Sequence, residues 1–317
     1  MKIVITDGYS ANPGDLDWNA FESLGEFTVY DLTPADKLIE RTRDADAIIT
    51  NKALFTEEIL KQLPKLKYIG VTATGFNVID LDACKRRGIP VTNVPEYGTF
   101  ATAQMTVALL LELTNKVGLH NASVKDGGWV RSEQFCYWLE PLTELYGKSI
   151  AVVGMGKIGS RVAKIAEALG MKVLPVPHRI TDPSEEYTFE EAIPQADVIT
   201  LHCPLTPETT NLINSSSLSL AKNGVYVINA SRGPIVNETD MAEALRRGKV
   251  AGFGCDVVST EPMKEDNPLL TAPNTVITPH IAWAARETRR RLLDVVASNL
   301  KGFIDGKDGK DINRVNM

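Results

Sequence analysis

The sequence predicts an α/β protein built from two doubly wound parallel sheets, and three observations carry that expectation. Short β-branched runs alternate with helical patterns through most of the 317 residues, which is how parallel strands joined by right-handed crossovers read. The alternation falls into two series, parted by one long apolar run and a polar, aromatic stretch. A chain of this length can bury two separate cores.

In the first series the expected strands are "KIVITD" (2–7), "FTVYDL" (27–32), "DAIITN" (46–51), "KYIGVTA" (67–73) and "PVTNV" (90–94). Between them "FTEEILKQL" has apolar residues at helical spacing, and "DLDACKRRG" is a helix that stops at Gly88. The run "ATAQMTVALLLEL", Ala101 to Leu113, is broken by Thr, Gln and Glu and is too short to span a bilayer, so it reads as a buried helix. After the loop "DGGWVRSEQFCYWLEPLTELYGK", the second series offers the strands "SIAVVGM", "KVLPVP", "DVITLHC", "VYVINAS", "VAGFGCDVV" and "TVITPH". The helices "SRVAKIAEALG" and "ETDMAEALRRG" separate them. The last helix begins near Arg286. Packed back on the first sheet, it gives a domain of residues 1–99 plus 286–317, a second domain of residues 100–285, and a hinged cleft between them.

Composition narrows the partners. A net charge of −6 leaves no broad basic footprint for nucleic acid or an anionic membrane, so small molecules are the expected ligands. The four cysteines (Cys84, Cys136, Cys203, Cys255) show no CxxC pair and no metal-ligand spacing. The opening "MKIVITDGYS" is already a strand and turn without a secretory h-region, so a cytoplasmic location is expected.

"VVGMGKIGSRVAKIAEALG" places Gly154, Gly156 and Gly159 in a GxGxxG pattern between an apolar strand and an amphipathic helix. The first glycine permits the tight turn, the second lets a pyrophosphate approach the backbone, and the third lets helix and strand pack closely. The positive end of the helix then faces the phosphates. An Asp or Glu some twenty residues on would bind the adenosine ribose of NAD. Pro177 stands there instead, followed by His178 and Arg179. Without a carboxylate, and with an arginine close enough to meet a 2′-phosphate, the strand end is expected to tolerate NADP.

Four further residues follow strands of the second series: Arg232 in "NASRGP", Asp256 in "CDVV", Glu261 in "STEP" and His280 in "TPHIAW". Ligands of open α/β sheets bind outside the carboxyl ends of strands, so these positions can converge. Reduction of a 2-oxo acid needs a cation for the carboxylate and carbonyl oxygen and a proton donor for the developing alkoxide. Arg232 offers the first, and His280, oriented by Glu261, the second.

The glycine turn, "NASRGPIVNE", "DVVSTEP" and "TPHIAW", in that order, resemble the D-isomer-specific 2-hydroxyacid dehydrogenase family over essentially the whole chain. "LPKLKYIGVTATGFNVIDLDACKRRGIPVTNVP" and "QFCYW" are similar to its glycerate dehydrogenase, or hydroxypyruvate reductase, branch. The resemblance implies a flavodoxin-like substrate domain and a Rossmann dinucleotide-binding domain. It implies hydride transfer between NAD(H) or NADP(H) and a small 2-oxo or 2-hydroxy acid, with hydroxypyruvate or glyoxylate as the oxidised substrate. Arg232 would bind substrate, Glu261 would partner His280, and His280 would exchange the proton. Asp256 would hold the nicotinamide carboxamide. Lys157 and Ile158 would meet the pyrophosphate, Cys203, Pro204 and Thr209 would line the cofactor, and Ala230 and Ser231 would flank the nicotinamide. The backbone of Ala73, Thr74 and Gly75 would take the substrate carboxylate. A homodimer through the apolar helix and the aromatic loop after Trp129 is also implied.

Other readings differ at named features. Phosphoglycerate dehydrogenases often carry a C-terminal regulatory domain, whereas only "DGKDGKDINRVNM" follows the last helix; formate dehydrogenases of the superfamily pair their histidine with Gln rather than Glu. An NAD(H)-sensing corepressor on the same scaffold would be expected to bind cofactor without turnover.

Overall fold

The structure, a computed structural model, describes every residue except 180 and 183. The chain divides into two compact units, residues 1–98 with 283–317 and residues 99–282.

The first unit runs β1 (Lys2–Ile5), α1 (Asn19–Glu22), β2 (Glu26–Val29), α2 (Leu38–Thr42), β3 (Ala47–Thr50), α3 (Glu57–Lys61), β4 (Tyr68–Val71), α4 (Leu81–Arg86) and β5 (Val91–Thr92). The second runs α5 (Thr99–Asn115), α6 (Val117–Lys125), β6 (Ser149–Val153), α7 (Lys157–Ala168), β7 (Lys172–Val176), α8 (Phe189–Ala192), β8 (Val198–Leu201), α9 (Ser215–Leu220), β9 (Val225–Asn229), α10 (Glu238–Arg246), β10 (Val250–Cys255) and β11 (Thr275–Ile277). Then α11 (Arg286–Ile304) rejoins the first unit.

Both sheets are parallel. The first has the order β2-β1-β3-β4-β5, the doubly wound flavodoxin order. Strands β1, β3, β4 and β5 are largely buried, which is why they read as apolar runs rather than as alternating ones, while the edge strand β2 is half-buried. Ile3, Ile5, Ala47, Ile49 and Tyr68 face one core, and Val4, Ile48, Ile69 and Val71 the other. The first of these cores is closed by Leu292, Leu293, Val296, Ala297 and Leu300 of α11. The tail after α11 pairs with the β5 edge through a Thr92–Arg314 antiparallel bridge.

The second sheet has the order β11-β10-β9-β8-β6-β7. The chain leaves β6 for β7 on one side and crosses to β8 on the other, which is the switch point of a dinucleotide-binding sheet. The outermost strand that the full Rossmann order would add beyond β7 is absent among the described residues. Helix α5 is buried along one face, through Leu109, Leu110 and Leu113 among others. Gly252 and Gly254 of β10 admit it closely: a Cβ on them would stand 2.9 Å from Leu113 and 3.1 Å from Leu109 respectively. Helix α6, at residues 117–125, is not evident from the sequence: it buries no residue, so its apolar pattern is weak. Among the described residues, no helix is long and apolar enough to cross a membrane.

Candidate active site in the second unit

The glycine turn has the geometry its residue types demand. Gly154 has φ +99°, and a Cβ there would lie 2.7 Å from the backbone of His202 and Cys203, so only glycine fits. A Cβ on Gly159 would meet the Gly154 carbonyl oxygen at 2.0 Å, so helix and turn touch there. At Gly156, by contrast, a Cβ would meet nothing within 4 Å. Gly156 caps α7, a twelve-residue helix that begins with Lys157 and Ile158. Open space beside a helix N-terminus suits a pyrophosphate, so these residues fit a dinucleotide cofactor.

Around that turn lie the strand ends. Pro177 is half-buried, and His178 and Arg179 are exposed just after β7. The Glu208 carboxyl is held below the usual range mainly by the Thr206 hydroxyl and in smaller part by His178, which brings the β7 end near the loop after β8. In that loop Thr209 Oγ1 donates to the Pro204 carbonyl at 2.7 Å and accepts from the Thr206 N–H at 2.7 Å. The Thr209 hydroxyl therefore closes its own turn. Cys203 is buried, and burial raises its thiol above the usual value. Its carbonyl accepts from the Ser231 hydroxyl at 2.5 Å, tying the β8 end to the β9 end.

Buried Asn229, the last residue of β9, shapes the next turn. Its side chain accepts from Ser231 N–H at 3.1 Å and donates to the Arg232 carbonyl at 2.9 Å. Ala230 is enclosed in that turn, and Arg232 stands exposed, with Nη1 donating to the Ser231 carbonyl at 2.7 Å.

Asp256 is 1% exposed and serves the His280 turn from beneath. Its carboxylate accepts from Thr278 Oγ1 at 2.6 Å, Ile281 N–H at 2.8 Å and Ala282 N–H at 2.7 Å, while its carbonyl accepts from His280 N–H at 2.8 Å. Burial raises the carboxyl above its ordinary value, and those three donors work against that rise. The anchoring matters because His280 sits at φ +56°, a left-handed conformation that costs energy for any residue but glycine. From this turn His280 Nδ1 reaches Glu261 Oε2 at 2.7 Å, leaving Nε2 as the outward nitrogen. Glu261 Oε1 in turn accepts from Val258 N–H at 3.3 Å.

Two supports of this site are not evident from the sequence alone. A Cβ on Gly233 would stand 2.0 Å from the Val258 carbonyl, so the Arg232 turn lies directly on the segment leading to Glu261. Glu238, the first residue of α10, accepts from Ser259 N–H at 2.7 Å, Ser259 Oγ at 2.6 Å and Asn267 Nδ2 at 2.9 Å, and so fastens both ends of the Glu261 loop. Asn237-Glu238 reads locally as a helix cap followed by a first-turn acid, a signal that conceals the second duty.

Residues 107–282 match the family model described as D-isomer specific 2-hydroxyacid dehydrogenase, NAD binding domain. The chain belongs to the D-isomer-specific 2-hydroxyacid dehydrogenase family. It is an NAD-dependent oxidoreductase of that family. It is 47% identical to a hydroxypyruvate reductase of Blautia hydrogenotrophica, over 99% of this chain and 100% of that protein. Among solved structures it resembles the D-lactate dehydrogenase of Aquifex aeolicus complexed with NAD and lactic acid (TM-score 0.81, 30% identity, 100% of this chain and 99% of that one). It also resembles an acyclic imino acid reductase in complex with NADPH and D-Arg (TM-score 0.83, 27% identity, 99% of this chain and 100% of that one).

The turn expected from the sequence to take a carboxylate belongs to the other unit. Ala73, Thr74 and Gly75 follow β4, with Thr74 exposed. Thr74 Oγ1 donates to the Val94 carbonyl at 2.9 Å.

Proposed function

We propose that the enzyme reduces a small 2-oxo acid, hydroxypyruvate or glyoxylate, to the D-2-hydroxy acid. The observation that carries this reading is the 2.7 Å Glu261–His280 pair. It lies at one end of a sheet whose neighbouring strand ends hold an exposed arginine and an open glycine turn.

A bound nicotinamide dinucleotide would supply the hydride for C2 of the acid. Nδ1 of His280 donates to Glu261, so Nε2 of the protonated ring is the nitrogen that gives its proton to the C2 oxygen as charge develops there. Glu261 fixes the ring plane and stabilises the imidazolium. Arg232 holds the carboxylate and polarises the carbonyl through a permanent planar charge. The turn Ala73–Gly75 contributes backbone N–H groups to the carboxylate. Asp256, already committed to the His280 turn, keeps one oxygen with a single donor and so retains capacity for the nicotinamide carboxamide. Lys157, Ile158, Cys203, Pro204, Thr209, Ala230 and Ser231 line the dinucleotide. At the adenosine end, Pro177 with His178 and Arg179 supports acceptance of NADPH as well as NADH.

The segment from α6 to Tyr146 exposes six large apolar side chains, Trp129, Val130, Phe135, Trp138, Leu139 and Leu142, and exposed apolar residues gathered in one segment favour an interface. We assign it to a homodimer face, which light scattering tests directly. All four cysteines are free, in keeping with a cytoplasmic enzyme. The deciding assay follows NADH and NADPH oxidation with hydroxypyruvate, glyoxylate and larger 2-oxo acids. Turnover of the two small acids supports the reading, and cofactor binding without turnover of any acid sinks it.

A further inference from the structure

We propose that two buried asparagines of the first unit, Asn51 and Asn93, are positioning residues for the turn Thr72–Gly75. The inference rests on the reading of that turn as a carboxylate cradle.

Three successive carbonyls of the turn are bonded to the scaffold behind it. Thr72 O accepts from Asn51 Nδ2 at 3.2 Å, Ala73 O from Val94 N–H at 3.0 Å, and Thr74 O from Asn93 Nδ2 at 2.8 Å. Each carbonyl shares a planar trans peptide with the next N–H, and in such a unit the two point in opposite directions. Holding the carbonyls of Thr72, Ala73 and Thr74 on the scaffold side therefore turns the N–H groups of Ala73, Thr74 and Gly75 to the opposite side. None of these three N–H groups has an acceptor among the described residues. Consecutive N–H groups facing one way make an anion cradle.

Each asparagine is itself braced. Asn51 N–H donates to both oxygens of buried Asp7 at 2.8 and 2.9 Å, and the same carboxylate accepts from Lys52 N–H at 2.5 Å. Asn93 is gripped through its backbone: its carbonyl accepts from Asn299 Nδ2 at 3.0 Å, and its N–H donates to the Asn313 carbonyl at 3.3 Å. Asn313 Nδ2 donates in turn to Asn299 Oδ1 at 2.9 Å. A line of three asparagines thus runs from the C-terminal tail through α11 to the turn. All of these props are amides or backbone groups except Asp7.

Asn93→Leu and Asn51→Leu remove each donor at nearly constant volume and add no charge. Three readouts are needed: kcat and KM for glyoxylate, NADH affinity by fluorescence, and backbone amide shifts of residues 73–75 on titration with oxamate. The expected result is that oxamate moves these amides in the unaltered enzyme. Asn93→Leu should then raise the glyoxylate KM and the oxamate Kd by about tenfold, with NADH affinity unchanged and kcat affected much less. If the amides respond in the unaltered enzyme but both variants keep KM within about twofold, the positioning role is overturned while the cradle stands. Amides that ignore oxamate overturn the cradle reading and the proposal with it. Parallel loss of kcat, KM and NADH affinity reduces the asparagines to fold maintenance and also overturns the proposal. Should Asn93→Leu fail to fold, Asn51→Leu carries the same readouts.

Discussion

Gly233 and Val258 stand so close that a Cβ on the glycine would lie 2.0 Å from both the carbonyl carbon and the oxygen of Val258. The contact sets the Arg232 turn against the chain that leads to Glu261. Gly233→Ala must push these backbones apart, at about 1–3 kcal/mol for overpacking. Because a displacement of about 1 Å at a reacting group costs roughly a hundredfold in rate, kcat/KM should fall by about that factor. Steady-state kinetics beside a thermal melt tests this; an alanine variant with full activity would show the two turns to be independent.

His280→Ala should lower kcat by about 10²–10⁴, the usual contribution of a positioned general acid, with NADH still bound. Glu261→Gln should lose less, since an amide can still accept from Nδ1 but cannot stabilise an imidazolium. Single-turnover rates with cofactor saturating separate this from a binding defect. Full turnover in the alanine variant would remove His280 from proton transfer.

At the adenosine end, Arg179→Ala should raise the NADPH KM by about tenfold, equivalent to about 1.4 kcal/mol for one charge-assisted contact, and leave the NADH value alone. Pro177→Asp should act in the opposite sense on the pair of cofactors, supplying a ribose acceptor and repelling a 2′-phosphate. An unchanged NADPH KM in the first variant would make Arg179 a solvated loop residue and nothing more.

His202, at the end of β8, places Nε2 2.9 Å from Thr200 Oγ1, and burial pushes its imidazole down to about 4. The unfolded chain, near 6.5, therefore binds more protons than the folded one between those two values. The contribution to stability is complete above about pH 6.5 and is lost as pH falls towards 4, and it amounts to on the order of 3 kcal/mol at most. Urea midpoints should decline over that window and decline less steeply in His202→Gln. Identical pH slopes in the two proteins would assign the acid sensitivity to other groups.

The eleven strands among the described residues are legible in the sequence, most plainly the inner ones, because parallel strands buried on both faces leave apolar, β-branched runs. Their ends are less so: "VAGFGCDVV" reads as one strand, yet β10 stops at Cys255 because Asp256 turns to serve the His280 loop. The glycine turn and the Glu261–His280 pair are legible because each chemistry restricts the residue type. Gly233, Glu238, Asn51 and Asn93 are not, since what makes them necessary is a neighbour distant in the chain. Asn93 alone depends on Thr74, Asn299 and Asn313. Strand order escapes for the same reason, because nothing in β7 or β8 says on which side of β6 it will dock.

The return of α11 to the first sheet has a consequence during synthesis. Five of its apolar residues seal a core whose strands were made near the start of the chain. The second unit, 99–282, is continuous and can close as soon as it emerges, whereas the first must wait for residue 283 onwards. At about 5–20 residues per second on the ribosome, the face of β1, β3 and β4 that receives α11 stays bare for roughly 10–40 seconds. Nascent chains stalled just before Trp283 should therefore be held by chaperones through the amino-terminal segment, although that segment is the first to be translated.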